Sequence, residues 1–194
     1  MGTNCLGPYL FTKCLIPILS KTAASSSPGS VRVTWASSGA VNLAAPQNGV
    51  SFENGAPKVH GNPGTDYAQS KAGNILLSSE MAKRFKKNGI VSLSFNPGNL
   101  RSDLQRHMSL VTRAVVQAIC YPAVNGAYTE LYAGWSADIS PEDSGSYIIP
   151  WGRKYDPAKH VLPALQDIDE GGTGVAKVFW EWCDKETNPY HVYL

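Results

Sequence analysis

Tyr67 and Lys71, in the stretch YAQSK, stand four residues apart. On a helix that spacing puts both side chains on one face. An ammonium at short range favours a phenolate over a phenol, so a tyrosine paired in this way can exchange a proton with an alcohol or carbonyl oxygen. A serine hydroxyl at the same place, such as that of Ser38, could hydrogen-bond that oxygen and orient it. Proton exchange alone does not interconvert an alcohol and a carbonyl. A hydride carrier is also required, and no side chain is one.

The pattern Tyr-x-x-x-Lys occurs at Tyr9/Lys13, Tyr67/Lys71 and Tyr155/Lys159, so the elements that carry each pair must choose among them. Residues 2–20 read as a helix, with Leu6, Leu10, Cys14, Leu15 and Leu19 near helical spacing. VRVTWA at 31–36 reads as a short buried strand ending at Ser37-Ser38-Gly39. The polar, Gly- and Pro-rich segment 39–64 needs no regular element. Residues 65–87 read as helix again. Ala68, Ala72, Ile75, Leu76, Ser79, Ala82 and Phe85 form its stripe, Thr65 or Asp66 its cap and Asn88-Gly89 its stop. IVSLSF at 90–95 is a second strand, ended by Asn96-Pro97-Gly98. Helical material follows over 100–137, broken at Tyr121-Pro122; SYIIP at 146–150 is a third strand and 160–186 is helix-rich.

Helices alternating with buried strands imply parallel strands joined by crossovers: an α/β, doubly wound Rossmann-type sheet of about three strands with flanking helices. The expectation is one domain over 1–194, with 151–194 as its C-terminal tail. Ligands meet such sheets at the carboxyl ends of the strands. Ser37-Ser38 and Asn96-Pro97-Gly98 lie at those ends, and Tyr67 lies in the first turn of the helix between them. Tyr9/Lys13 is expected to be buried mid-helix, and Tyr155/Lys159 falls beyond the last strand. Only Tyr67/Lys71 is placed to face a strand-end cleft.

With these residues in order, the chain resembles the short-chain dehydrogenases/reductases, in their retinol-dehydrogenase-like and fungal branch. TNCLGPYLFTKCLIPIL is similar to the family's central helix, VRVTWASSGA to its serine-bearing strand, YAQSK to YxxSK, NPGNLRSDL to its Pro-Gly turn and GSYIIPWGR to its last core strand. The resemblance implies Tyr67 as acid/base, Ser38 holding the substrate oxygen, Lys71 as partner of the tyrosine and of the nicotinamide ribose, and Asn4 holding a relay water. It implies NAD or NADP as cofactor, met also by Pro97, Gly98, Leu100 and Ser102, the last where the family usually has threonine. The substrate it implies is a small carbonyl or alcohol, and Met108, Leu110 and Val111 suggest a fairly apolar pocket wall.

The family's opening strand, glycine-rich turn and helix have no counterpart here: Gly-x-Gly-x-x-Gly is absent, and EGGTGVAK at 170–177 reads as a loop with Thr173 capping a helix. The expectation is therefore a chain lacking the N-terminal cofactor-binding half. Its strand 31–36 would then show an open apolar edge, suited to self-association or to a partner chain. A non-catalytic interaction module and a catalytic half completed by another chain stand as alternatives to an enzyme.

A hydrophobic fraction of 43% and a charged fraction of 16% support a packed core, and a net charge of +2 with no basic cluster argues against nucleic acid as partner. Lys83-Arg84 and Lys86-Lys87 read as a solvated helix end. The four cysteines lack metal-ligand spacing, which suggests reduced thiols, no metal and a cytoplasmic setting. The apolar run 8–19 holds Lys13 and Pro17 and is too short to cross a bilayer.

Overall fold

A computed structural model describes residues 1–101 and 120–190. A π-helical turn, Gly2–Leu6, runs into α1 (Gly7–Ala24). Then come β1 (Arg32–Ala36), α2 (Ala40–Ala44), the short strands β2 (Phe52–Glu53) and β3 (Ala56–Pro57), α3 (Pro63–Phe85) and β4 (Val91–Phe95). After them follow α4 (Ala123–Trp135), β5 (Tyr147–Ile149), β6 (Arg153–Tyr155), α5 (Leu162–Leu165) and α6 (Val175–Thr187). The main sheet has the order β1-β4-β5-β6, with β1, β4 and β5 parallel and β6 antiparallel. Helices cover both faces, so the α/β sheet is doubly wound as expected. It has four strands among the described residues rather than three, because the turn at 150–152 folds β6 back on β5.

The strand β4 shows how one segment serves two layers. Val91, Leu93 and Phe95 join Ala133 of α4 and Ile148 in one apolar cluster. Its alternate residues turn to the other face, as strand periodicity requires. There Ser92 Oγ accepts from Trp35 Nε1 at 3.1 Å and meets Ser78 Oγ of α3 at 3.3 Å. α3 is buried along most of its length, including Gln69, Ser70, Asn74, Ser78 and Glu80, and its stripe from Ala68 to Ala82 is buried as predicted. Gly73 permits its closest approach: a Cβ there would stand 2.9 Å from Cys5 Sγ and from the ring of Phe179.

Several expectations are corrected. The cap of α3 is Asn62, whose Oδ1 accepts from Gly64 N at 2.9 Å and Thr65 N at 3.1 Å; Asp66 instead accepts from His60 N. Segment 39–64 holds α2 and a hairpin, since Asn54 and Gly55 both take the left-handed backbone that a two-residue hairpin turn needs. The N-cap of α6 is Gly174, and Thr173 Oγ1 donates to Pro163 O rather than capping it. Lys83 bonds Asp167, while Arg84 bonds Glu80 and lies over the Trp180 ring, so this pair docks the tail instead of only meeting solvent. The expected helix over 102–119 lies outside the described residues.

The unchosen Tyr/Lys pairs are settled by their neighbours. Tyr9 is buried and donates to Asp184 Oδ1 at 3.0 Å, and Lys13 pairs with the same carboxylate, tying α1 to α6. Burial, then the Asp184 carboxylate, push the Tyr9 phenol well above its ordinary range. Tyr155 lies on β6, off any helix.

Two stability outcomes follow from this packing. Gly73→Ala gains helix propensity but forces a methyl against Cys5 and Phe179, so a net loss of about 1–3 kcal/mol is expected in denaturant melts. Burial alone would raise the Asp184 pKa, yet the hydrogen bonds from Lys13 and Tyr9 hold it below the usual carboxylate range. Its stabilisation is therefore present above the unfolded aspartate pKa of about 4 and lost as pH falls through the depressed folded value. Asp184→Asn should cost about 1 kcal/mol at neutral pH, given partial exposure, with the gap to the parent closing in acid melts.

Candidate active site

The candidate residues are assembled at the carboxyl end of β1 by the N-terminal half of α3. The Ala36 carbonyl accepts from Lys71 Nζ at 3.0 Å and from Asn74 Nδ2 at 2.8 Å. Ser37 N continues the ladder to Phe95 O at 2.7 Å, and Ser37 Oγ donates to Lys71 O at 2.9 Å. The serine pair thus divides: Ser37 is buried and structural. Ser38 is half-buried, and its Oγ accepts from Ala40 N at 3.2 Å, which leaves the hydroxyl proton free for another acceptor.

Tyr67 is 40% exposed, and Lys71 Nζ lies 5.9 Å from its ring centroid. Tyr67 and Lys71 therefore share a face, with the ammonium beside the ring. Desolvation by burial lowers the Lys71 pKa, opposed weakly by Cys5. Asn4 reaches the same turn of α3: its Nδ2 donates to Ser70 Oγ at 2.9 Å, and Ser70 Oγ donates to Tyr67 O at 2.7 Å. Cys5 Sγ donates to Ser70 O at 3.1 Å, and burial pushes its thiol up to about 12, so it is no nucleophile. Tyr147 is also unsuited to proton exchange. Burial pushes its phenol up to about 12, and although Ser37 and Asn96 lie near, its hydroxyl meets neither in good hydrogen-bond geometry.

Two cavities flank this centre. One, of about 480 Å³, runs along the outer edge of β1 and is lined by Asn4, Phe11, Thr34, Lys71 and Asn74. The other, of about 600 Å³, is lined by Pro97, Gly98 and Leu100 together with Gly39, the neighbour of Ser38. Gly98 has φ 92, and a Cβ there would stand 2.9 Å from Pro150 Cγ, so the Pro-Gly turn is seated on the exit of β5. Ser102, Met108, Leu110 and Val111 lie outside the described residues. Ser70 and Asn74 were not singled out from sequence. Their spacing from Tyr67, three and seven residues, puts them on its helix face and was the available signal.

No family model matches the chain. It is, however, 43% identical over 195 residues to a short-chain dehydrogenase/reductase of Phomopsis amygdali and 37% identical over 191 residues to one of Neocamarosporium betae. Both alignments take in 98% of the chain. The chain is a homologue of the short-chain dehydrogenases/reductases. It spans 58% and 55% of those two relatives' lengths. Among solved structures it is similar to an NADPH-bound carbonyl reductase from chicken fatty liver, with a TM-score of 0.55 at 17% identity, covering 79% of this chain and 54% of that one. That likeness shows the Rossmann-like fold of this short-chain dehydrogenase/reductase homologue. Among its described residues no helix is long and apolar enough to cross a membrane.

Burying Lys71 has a measurable signature. Its charged form is disfavoured in the folded state, so between the depressed folded pKa and the unfolded value of about 10.4 the unfolded chain binds more protons and stability rises with pH. Thermal melts at increasing alkaline pH should show the parent gaining on Lys71→Met across that window.

Proposed function

We propose that these residues carry the catalytic side of an oxidoreductase that interconverts an alcohol and a carbonyl with NAD or NADP. The supporting observation is the shared face of Tyr67 and Lys71, with the ammonium 5.9 Å from the ring centroid and anchored on the Ala36 carbonyl beside Ser38. In this reading Ser38 donates to the substrate oxygen and fixes it, and Tyr67 gives that oxygen its proton in reduction or takes it in oxidation. Lys71 favours the phenolate that remains after proton donation. Asn4 acts through Ser70 of α3, holding the backbone of Tyr67 in place.

The chain fits one end of the cofactor. The Lys71 ammonium has three donors and spends one on Ala36 O, which leaves donors for ribose hydroxyls. Pro97, Gly98 and Leu100, on the wall of the 600 Å³ cavity, would meet the carboxamide. The bound cofactor would supply the hydride. For the pyrophosphate end, the described residues hold no glycine-rich turn leading from a strand into a long helix; GGTG at 171–174 leads from a loop into α6.

That shortfall favours a second reading alongside the first, in which further polypeptide completes the cofactor site. Among the described residues the outer edge of β1 is unpaired in the sheet order, and the 480 Å³ groove runs beside it. A segment pairing there would satisfy the edge. Sedimentation and a turnover assay on the 194-residue chain alone check this: a monomer that melts cooperatively and turns over would remove the need for more polypeptide. For the first reading, Tyr67→Phe should lower NAD(P)H-dependent reduction of a ketone by about 10²-fold or more with an unchanged melt. Equal rates in the two proteins would sink the assignment.

A further inference from the structure

Trp151 occupies a backbone conformation that bulky side chains avoid. It sits in the turn between β5 and β6 with φ 71, followed by Gly152 with φ 64. The surroundings hold it there. A Cβ on Gly152 would stand 2.7 Å from the Tyr132 ring of α4, Arg153 Nε donates to Pro150 O at 3.0 Å, and Pro150 is seated on Gly98. The turn is thus clamped between α4 and the Pro-Gly turn.

Held in this way, the indole is not used for the core. It is 63% exposed and lies edge-on to Tyr121, with ring centroids 5.5 Å apart at 82°. Tyr121 is itself anchored, its N donating to Asn99 O and its carbonyl accepting from Arg101 N, both at 2.9 Å. Tyr128, one turn along α4, is 62% exposed. All three rings line the 600 Å³ cavity whose wall includes Gly39, next to Ser38, and Pro97-Gly98. A glycine at position 151 would take the same backbone without strain, so folding alone gives no reason for a tryptophan there. Strain kept in an exposed side chain at a cavity points to a ligand.

We propose that Trp151, Tyr121 and Tyr128 form an aromatic cup that selects a planar aromatic carbonyl compound as substrate. The carbonyl part rests on the function proposed above, whereas the preference for a flat ring rests on the cup alone. Rigid aromatic walls favour stacked or edge-on contact with a planar π-system, and a puckered saturated ring of similar size cannot make that contact. The Pro-Gly turn joins the two sites, since it touches both the turn that carries Trp151 and the cavity beside Ser38.

The test uses acetophenone and cyclohexyl methyl ketone, which share a carbon skeleton and differ in ring planarity. Binding to the full chain is measured by isothermal titration and saturation-transfer NMR. Acetophenone should bind about tenfold or more tightly than its saturated partner, and Trp151→Gly should remove most of that difference. Because glycine relieves the backbone, Trp151→Gly should melt no lower than the parent, which separates lost binding from lost folding. Trp151→Phe should keep most of the preference. Equal affinity for the two ketones, no binding of either, or an unchanged preference in Trp151→Gly would each overturn the cup. Binding with the stated preference but without NAD(P)H-dependent turnover would count against the proposed function while leaving the cup standing.

Discussion

The carbonyl of Ala36 is the point on which the candidate site hangs. It lies at the last residue of an edge strand and takes two donors from one face of α3, Lys71 and Asn74. Two hydrogen bonds on one carbonyl, each contributing about 0.5–1.5 kcal/mol net in the typical case, give both side chains reason to stay. The return link, from Ser37 Oγ to the carbonyl of Lys71, ties the strand end to the helix a second time. These links place an ammonium beside a phenol and a serine turn without any loop having to close over them. They also explain how Lys71 tolerates burial: a charge-assisted hydrogen bond offsets part of its desolvation.

The same spacing of tyrosine and lysine has other fates in this molecule. Tyr9 and Lys13 also face one way from a helix, but Asp184 of α6 binds both, so the pair becomes a structural clasp. Tyr155 lies on a strand, where a residue four positions away offers no shared helical face. The chemistry proposed for Tyr67 would therefore not come from the motif alone. It would rest on a helix aimed at strand ends, where the phenol remains reachable and the lysine finds a carbonyl rather than a carboxylate.

Close approach is what makes that aim accurate. Gly73 lets α3 press on Cys5 and Phe179, and the Asn4–Ser70–Tyr67 chain of hydrogen bonds ties the N-terminal half of that helix to the turn at Gly2–Leu6. Gly98 does the equivalent work for the Pro-Gly turn, seating it on Pro150. In each case a missing side chain replaces a gap with contact, and the rings of Tyr67 and Trp151 stay exposed on that framework.

The alternation of helices and apolar strands, the buried stripe of α3 and the stop at Asn88-Gly89 were readable in the sequence, because periodicity and turn residues act over a few positions. So was the placement of the helix that carries Tyr67 and Lys71, since element order decides which helix starts at a strand end. The fourth strand, the hairpin at 52–57 and the cap at Asn62 depended on turns whose partners are local but whose alternatives are equally plausible by composition. Tertiary structure alone decided which serine is structural, that Asp184 claims Tyr9 and Lys13, and that Trp151 is pinned in a left-handed turn at a cavity. Those outcomes depend on contacts between residues distant along the chain, and spacing along the sequence carries no record of which side chains such contacts bring together.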